Sequence, residues 1–163
     1  MAHETLTALA TLVGARLKER GLMLATAESC TGGWVAQAVT AISGGSAWFD
    51  CGFVTYSNQA KQELLGVREE TLRKFGAVSE ETAREMAAGA LARSRAGVSV
   101  AITGIAGPTG GTKDKPVGTV CLAWARKGAD PESLTRHFSG DRESVRRQSV
   151  ITALQGVLEQ LER

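Results

Sequence analysis

The stretch that most constrains this chain begins where the apolar run Leu22-Met23-Leu24-Ala25 passes into Thr26-Ala27-Glu28-Ser29-Cys30-Thr31-Gly32-Gly33. From Trp34 the spacing turns helical. A short apolar run, a small-residue turn and a helix make a strand–turn–helix unit, the building block of sheets covered by helices. It sets Ser29 at the end of a strand, with its hydroxyl exposed and the unpaired amides of a first helical turn close by. Such amides, at the positive end of a helix dipole, stabilise an oxyanion or hold a phosphate. A plain helix N-cap uses the same residue types, so the stretch alone does not decide between the two.

The rest of the chain repeats the alternation. Leu6, Leu9, Val13 and Leu17 predict an amphipathic helix over about 5–20, closed by Gly21. A strand at 22–27 follows, then a helix with Trp34, Val35, Ala38, Val39 and Ile42 on one face. The aromatic and β-branched content of 47–56 predicts a second strand. Ser57-Asn58 opens a short helix through Lys61 to Leu65, and a further helical segment is expected near 69–74. Ser79, with Glu80 and Glu81 behind it, caps a firm helix ending at Gly97, with Arg93 and Arg95 in its last turn. Strand three at 98–103 runs into the glycine-rich loop Gly104–Gly111. Strands at 117–125 and 134–138 come next, and Gly140-Asp141 caps a last helix carrying Ile151, Leu154, Leu158 and Leu161. Helices alternate with the early strands but not with the last two. The expected fold is therefore a three-layer α/β/α domain over residues 1–163, with a mostly parallel mixed sheet of about five strands.

With 43% hydrophobic residues in 163, the chain can bury a real core as one domain. A net charge of +2 without a long basic run argues against nucleic-acid binding, and Arg142, Arg146 and Arg147 read as the polar side of a helix. Three scattered cysteines, Cys30, Cys51 and Cys121, contain no CxxC pair, so neither a zinc site nor a disulfide framework is indicated. No secretory leader or membrane-length apolar run is seen, and a cytoplasmic location is expected.

In an α/β sheet, ligands bind outside the carboxyl ends of the strands. Three segments fall there: Glu28–Gly33, Tyr56–Lys61 and Thr103–Gly111. Lys61 sits in the first turn of a helix capped by Ser57 or Asn58, where the helix dipole and any burial lower a lysine's pKa. Beside Ser29 it can act as a general base; alone it reads as a solvated surface lysine. His3 lies in a fraying terminus and His137 in a late strand, so no histidine base is evident. Cys30 is the competing nucleophile, or a small buried residue. The Gly104–Gly111 loop lacks a P-loop ending but has glycines that let amides approach one phosphate or a ribose; otherwise it is a tight turn. Arg142 can fork onto a phosphate or pair locally with Asp141 or Glu143.

Ala27–Gly33, Gly52-Phe53-Val54-Thr55-Tyr56-Ser57-Asn58 with Lys61, Thr103-Gly104-Ile105-Ala106-Gly107-Pro108, Gly76–Ser79 and Pro116–Val120 together resemble the CinA C-terminal domain family. The likeness spans nearly the whole chain and is closest to the family's stand-alone form. It implies a nicotinamide-nucleotide amidase, which converts nicotinamide mononucleotide to nicotinate mononucleotide and ammonia. It also implies a homo-oligomer, commonly a dimer. Carried onto matching positions, Ser29 is the nucleophile, Lys61 the base and Tyr56 a neighbour that orients substrate or assists proton transfer. Thr103, Gly104 and Gly107 line the nucleotide pocket, and Ser46 and Arg142 are further carry-overs. The amides of Cys30 and Thr31, with Gly32 in the same turn, would meet the developing oxyanion. No metal or other cofactor is required, and neither nucleic acid nor membrane is an expected partner. A non-catalytic nucleotide-binding or partner-binding module is the competing reading.

Overall fold

The computed structural model describes the backbone of residues 2–163 and the side chains from Thr5 onward. The side chain of His3 therefore lies outside the described residues. The elements, in order, are α1 (Ala2–Arg20), β1 (Leu24–Glu28), α2 (Trp34–Thr40), β2 (Phe49–Val54), α3 (Asn58–Leu65), α4 (Glu69–Phe75) and α5 (Glu80–Ala92). They continue with β3 (Val98–Gly104), β4 (Thr119–Arg126), β5 (Glu132–His137) and α6 (Arg142–Leu161). The five strands form one sheet in the order β2-β1-β3-β4-β5. β1 pairs parallel with β2 and β3, whereas β4 is antiparallel to both β3 and β5. One reversed strand explains why the last two need no helix between them: an antiparallel hairpin closes with a short turn, and a parallel pair cannot.

The two faces of the sheet differ in kind. On one, Leu24, Val98, Val100, Ile102, Val120, Leu122 and Trp124 pack against α1, α2 and α6 through residues such as Val13, Leu17, Val35, Val39, Val150 and Leu154. On the other, Ala25, Ala27, Ala101, Ala123 and Ala125 meet Ala83, Met86, Ala87 and Ala90 of α5. Small side chains on that face bring α5 close enough for Ser99 Oγ to donate to the carbonyl of Ala87 at 2.7 Å.

α3 is seated on α5 by an equally close approach, because a Cβ on Gly89 would overlap the Leu65 carbonyl. Gly89→Ala is therefore expected to lower stability by about 3 kcal/mol, the upper end of overpacking costs, and to displace α3. Chemical denaturation checks this; an unchanged midpoint would mean that α3 shifts without cost.

Several boundaries differ from the sequence reading. Residues 47–48 are not strand: Gly45–Ala47 form a short 3₁₀ turn before β2 begins at Phe49. The helix expected to run to Gly97 ends at Ala92, with Arg93 as its cap and Arg95 beyond it. Among the described residues no helix is long and apolar enough to cross a membrane.

Candidate active site

The exits of β1, β2 and β3 lie side by side because the three strands are parallel. Side chains alternate along β1, so Glu28 projects toward the α2 and α6 layer and Ser29 toward α3 and α5. Each then meets a different partner.

Ser57 caps α3, its Oγ accepting from the amide of Ala60 at 3.0 Å, which sets Lys61 one turn into the helix. Lys61 is 1% exposed, and Ser29 only 8%. The Lys61 Nζ donates to Ser29 Oγ at 2.9 Å, to the Thr55 carbonyl at 3.0 Å and to the Tyr56 carbonyl at 3.1 Å. Burial lowers its pKa below the ordinary lysine value, the neighbouring Cys30 thiol acting weakly in the opposite direction. Nothing ionic compensates, since Lys61 takes part in no salt bridge among the described residues. A buried amine without an ionic partner, hydrogen-bonded to one hydroxyl and two carbonyls, gives up its proton more readily than an exposed lysine.

Glu28 has a role that the sequence reading did not assign. Its carboxylate is 1% exposed and accepts from Thr31 Oγ1 at 2.6 Å and from the amides of Val35 and Ala36 at 2.9 and 3.1 Å. The free amides expected at the start of α2 are therefore occupied by the chain's own carboxylate, with α2 beginning only at Trp34. This corrects the picture of an anion held by that helix. An acidic residue next to the strand end, seven and eight positions before the amides it caps, was the available signal.

What remains for an oxyanion is the turn itself. The amide of Ser29 donates to Ile102 O, that of Gly32 to Ser29 O and that of Trp34 to Thr31 O. Among the described residues the amide of Thr31 meets no acceptor, and that of Cys30 meets only its own thiol. Gly32 and Gly33 have φ values of +61° and +108°, a left-handed pair that lets the chain turn sharply into α2 and that side chains resist. The Cys30 thiol is a poor competitor to Ser29: it is packed in the core and burial pushes its pKa up to about 12.

A second set of contacts closes the rim. Arg142, in the first turn of α6, donates to the Gly107 carbonyl at 2.8 Å and to Tyr56 Oη at 3.3 Å, and does not pair with Asp141 or Glu143. The Tyr56 ring is 64% exposed. Thr103 is buried beside the strand exit and donates to the Ala77 carbonyl at 2.8 Å. Gly104 runs so close to Val120 that a Cβ would reach its side chain at 2.8 Å. Ser46 is not part of this assembly. It is exposed in the 3₁₀ turn before β2, at the opposite end of the sheet from Ser29.

Arg146, one turn beyond Arg142, also departs from the polar-face reading. Its Nε donates to the Cys30 carbonyl and its Nη2 to the Thr31 carbonyl, both at 3.1 Å. A separate cleft of about 710 Å³ under α5, lined by Lys74, Arg84, Lys115 and His137, includes none of Ser29, Tyr56 or Lys61.

Fold and site together define an α/β domain with a buried serine–lysine pair at the carboxyl edge of its parallel strands. The CinA C-terminal domain model matches residues 6–161, and the chain belongs to that family. It is 56% identical over 98% of its length to nicotinamide-nucleotide amidohydrolase PncC of Escherichia coli strain K12, covering 97% of that protein. It is 51% identical over 96% of its length to the protein of the same name from Pseudomonas putida, again covering 97% of it. The crystal structure of competence/damage inducible protein CihA from Agrobacterium tumefaciens superposes with a TM-score of 0.93 at 48% identity. That match covers 98% of this chain and 96% of the other.

Proposed function

We propose that this protein hydrolyses the carboxamide of nicotinamide mononucleotide, releasing nicotinate mononucleotide and ammonia, by a serine–lysine mechanism. The observation that carries the reading is the 2.9 Å contact between Lys61 Nζ and Ser29 Oγ. The names of the two amidohydrolase relatives supply the substrate.

The chemistry follows from the amine's surroundings. In its neutral form Lys61 keeps two N–H bonds, which the carbonyls of Thr55 and Tyr56 accept, and its lone pair is left facing the Ser29 hydroxyl. Ser29 Oγ attacks the carboxamide carbon as its proton passes to Nζ. The carbonyl oxygen becomes an oxyanion facing the amides of Cys30 and Thr31. The resulting ammonium returns the proton to the departing nitrogen, and ammonia leaves an ester on Ser29. Water, deprotonated by the again neutral amine, then releases the acid and restores the serine. Arg142, with donors left over after Gly107 and Tyr56, and the open amides of the Gly104–Gly111 loop suit the substrate's phosphate.

The test is incubation of purified wild-type protein with nicotinamide mononucleotide in the presence of a chelator. Ammonia and nicotinate mononucleotide are expected in equal amounts. Binding of the nucleotide without either product would establish the non-catalytic module instead.

A further inference from the structure

Among the described residues, the guanidinium of Arg146 does something to the Ser29 turn that no other side chain does. It grips two successive carbonyls, those of Cys30 and Thr31. In a trans peptide the carbonyl of one residue and the N–H of the next point in opposite directions. Holding the Cys30 carbonyl toward α6 therefore directs the Thr31 N–H away from α6, to the side on which Ser29 meets Lys61. The peptide cannot rotate without breaking the Arg146 contacts. The far end of the turn is also fixed, because Glu28 binds Thr31 Oγ1 and the first amides of α2.

The arginine is itself braced. Its guanidinium lies 5.5 Å from the centre of the Trp34 ring, and that of Arg147 lies at the same distance from it. Trp34 opens α2, so α6, α2 and the turn are locked as one unit around the guanidinium. Arginine suits this task because its planar fork reaches two acceptors at once, which an ammonium on a flexible stem does not.

We propose that Arg146 is a positioning residue that fixes the Cys30–Thr31 peptide plane, so that the Thr31 N–H stands ready as the oxyanion donor. This rests on the amidase reading given above. Arg146 touches neither substrate nor reacting atoms; it acts through the peptide that does. Its removal frees the plane to flip and present a carbonyl where a donor is needed.

The experiment compares wild type, Arg146→Ala, Arg146→Lys and Arg147→Ala for nicotinamide mononucleotide hydrolysis and for affinity toward the product, nicotinate mononucleotide. Thermal melts verify that each is folded. Losing one oxyanion donor costs about 10²-fold in kcat, so Arg146→Ala is expected to lose about that much with KM and product affinity within about twofold. Arg146→Lys, able to hold one carbonyl, should fall between. Millimolar guanidinium should return part of the kcat of Arg146→Ala and leave wild type unaffected. Arg147→Ala, which loses a ring contact but no carbonyl, should keep the wild-type kcat.

A folded Arg146→Ala with kcat within threefold of wild type overturns the assignment. So does a loss that appears in product affinity and not in kcat, which would make Arg146 a binding residue. Absence of turnover in wild type and Arg147→Ala alike would sink the amidase reading, and this assignment with it.

Discussion

Ser29→Ala is expected to reduce carboxamide hydrolysis by on the order of 10⁴-fold or more, as removal of a serine nucleophile does elsewhere. The expected loss is in kcat, because Ser29 is 8% exposed and offers a bound nucleotide little surface besides its hydroxyl. Removing one oxygen leaves the turn intact: the Ser29 amide still donates to Ile102 O and its carbonyl still accepts from Gly32. Product affinity, measured by calorimetry, should stay within about twofold, since binding shared by ground and transition states is untouched. A comparable fall in affinity would mean that Ser29 holds substrate and does not attack it.

Lys61→Met carries the second large effect. Methionine fills the tunnel of the lysine stem but cannot take the Ser29 proton. General-base removal costs about 10² to 10⁴-fold, and the upper part of that range is expected here because in the proposed mechanism the same amine serves attack, leaving-group protonation and deacylation. The pH dependence has a definite sign. Burial lowers the Lys61 pKa, so the neutral, proton-accepting form appears at lower pH than for an exposed lysine. Activity of the wild type should rise with pH through that lowered pKa and level off before the ordinary lysine range. Stability follows the same group. A folded-state pKa below the unfolded value means that folding expels a proton, which is a penalty fully present below the folded pKa. The penalty is relieved as pH climbs from the folded to the unfolded pKa, so wild-type stability should increase across that window. Lys61→Met should show no such increase there. Denaturant midpoints at a series of alkaline pH values check it; equal slopes for the two proteins would mean that Lys61 titrates normally.

How far the sequence could be read depended on whether the signal was local. Caps and periodicities are local, so Ser57, Ser79 and Asp141 each fall where an N-cap was expected, their side chains accepting from Ala60, Thr82 and Ser144. The alternation of helix and strand patterns carried the layer order for the same reason. The approach of Ser29 and Lys61, 32 positions apart, was inferable because parallel strands gather their exits at one edge.

What was missed depends on direction within that edge. Nothing in the spacing says that Glu28 turns back to cap α2 at Val35 and Ala36, or that this occupies the helix end that first drew attention to Ser29. Arg142 carried a phosphate-fork reading beside a local pairing, but Arg146 read only as part of a solvated face, because charges on a terminal helix usually are one. Only the packing of α6 against the loop after β3 and the turn after β1 makes the two inward-reaching. Ser46 shows the converse. Its place ahead of β2 belongs to the amino end of a parallel strand, so the register of β1 with β2 separates it from Ser29.

The measurement that bears most directly on the central claim sets Ser29→Ala beside Cys30→Ala in one assay of ammonia release from nicotinamide mononucleotide. The two residues are adjacent, and a nucleophile at either would fit a turn beside a strand exit. Burial holds the Cys30 thiol protonated, with a pKa of about 12, while Ser29 touches the Lys61 amine. Cys30→Ala is expected to retain activity within about tenfold, the loss being one of packing alone, and Ser29→Ala to fall by on the order of 10⁴-fold. Turnover that survives in Ser29→Ala and disappears in Cys30→Ala would contradict it.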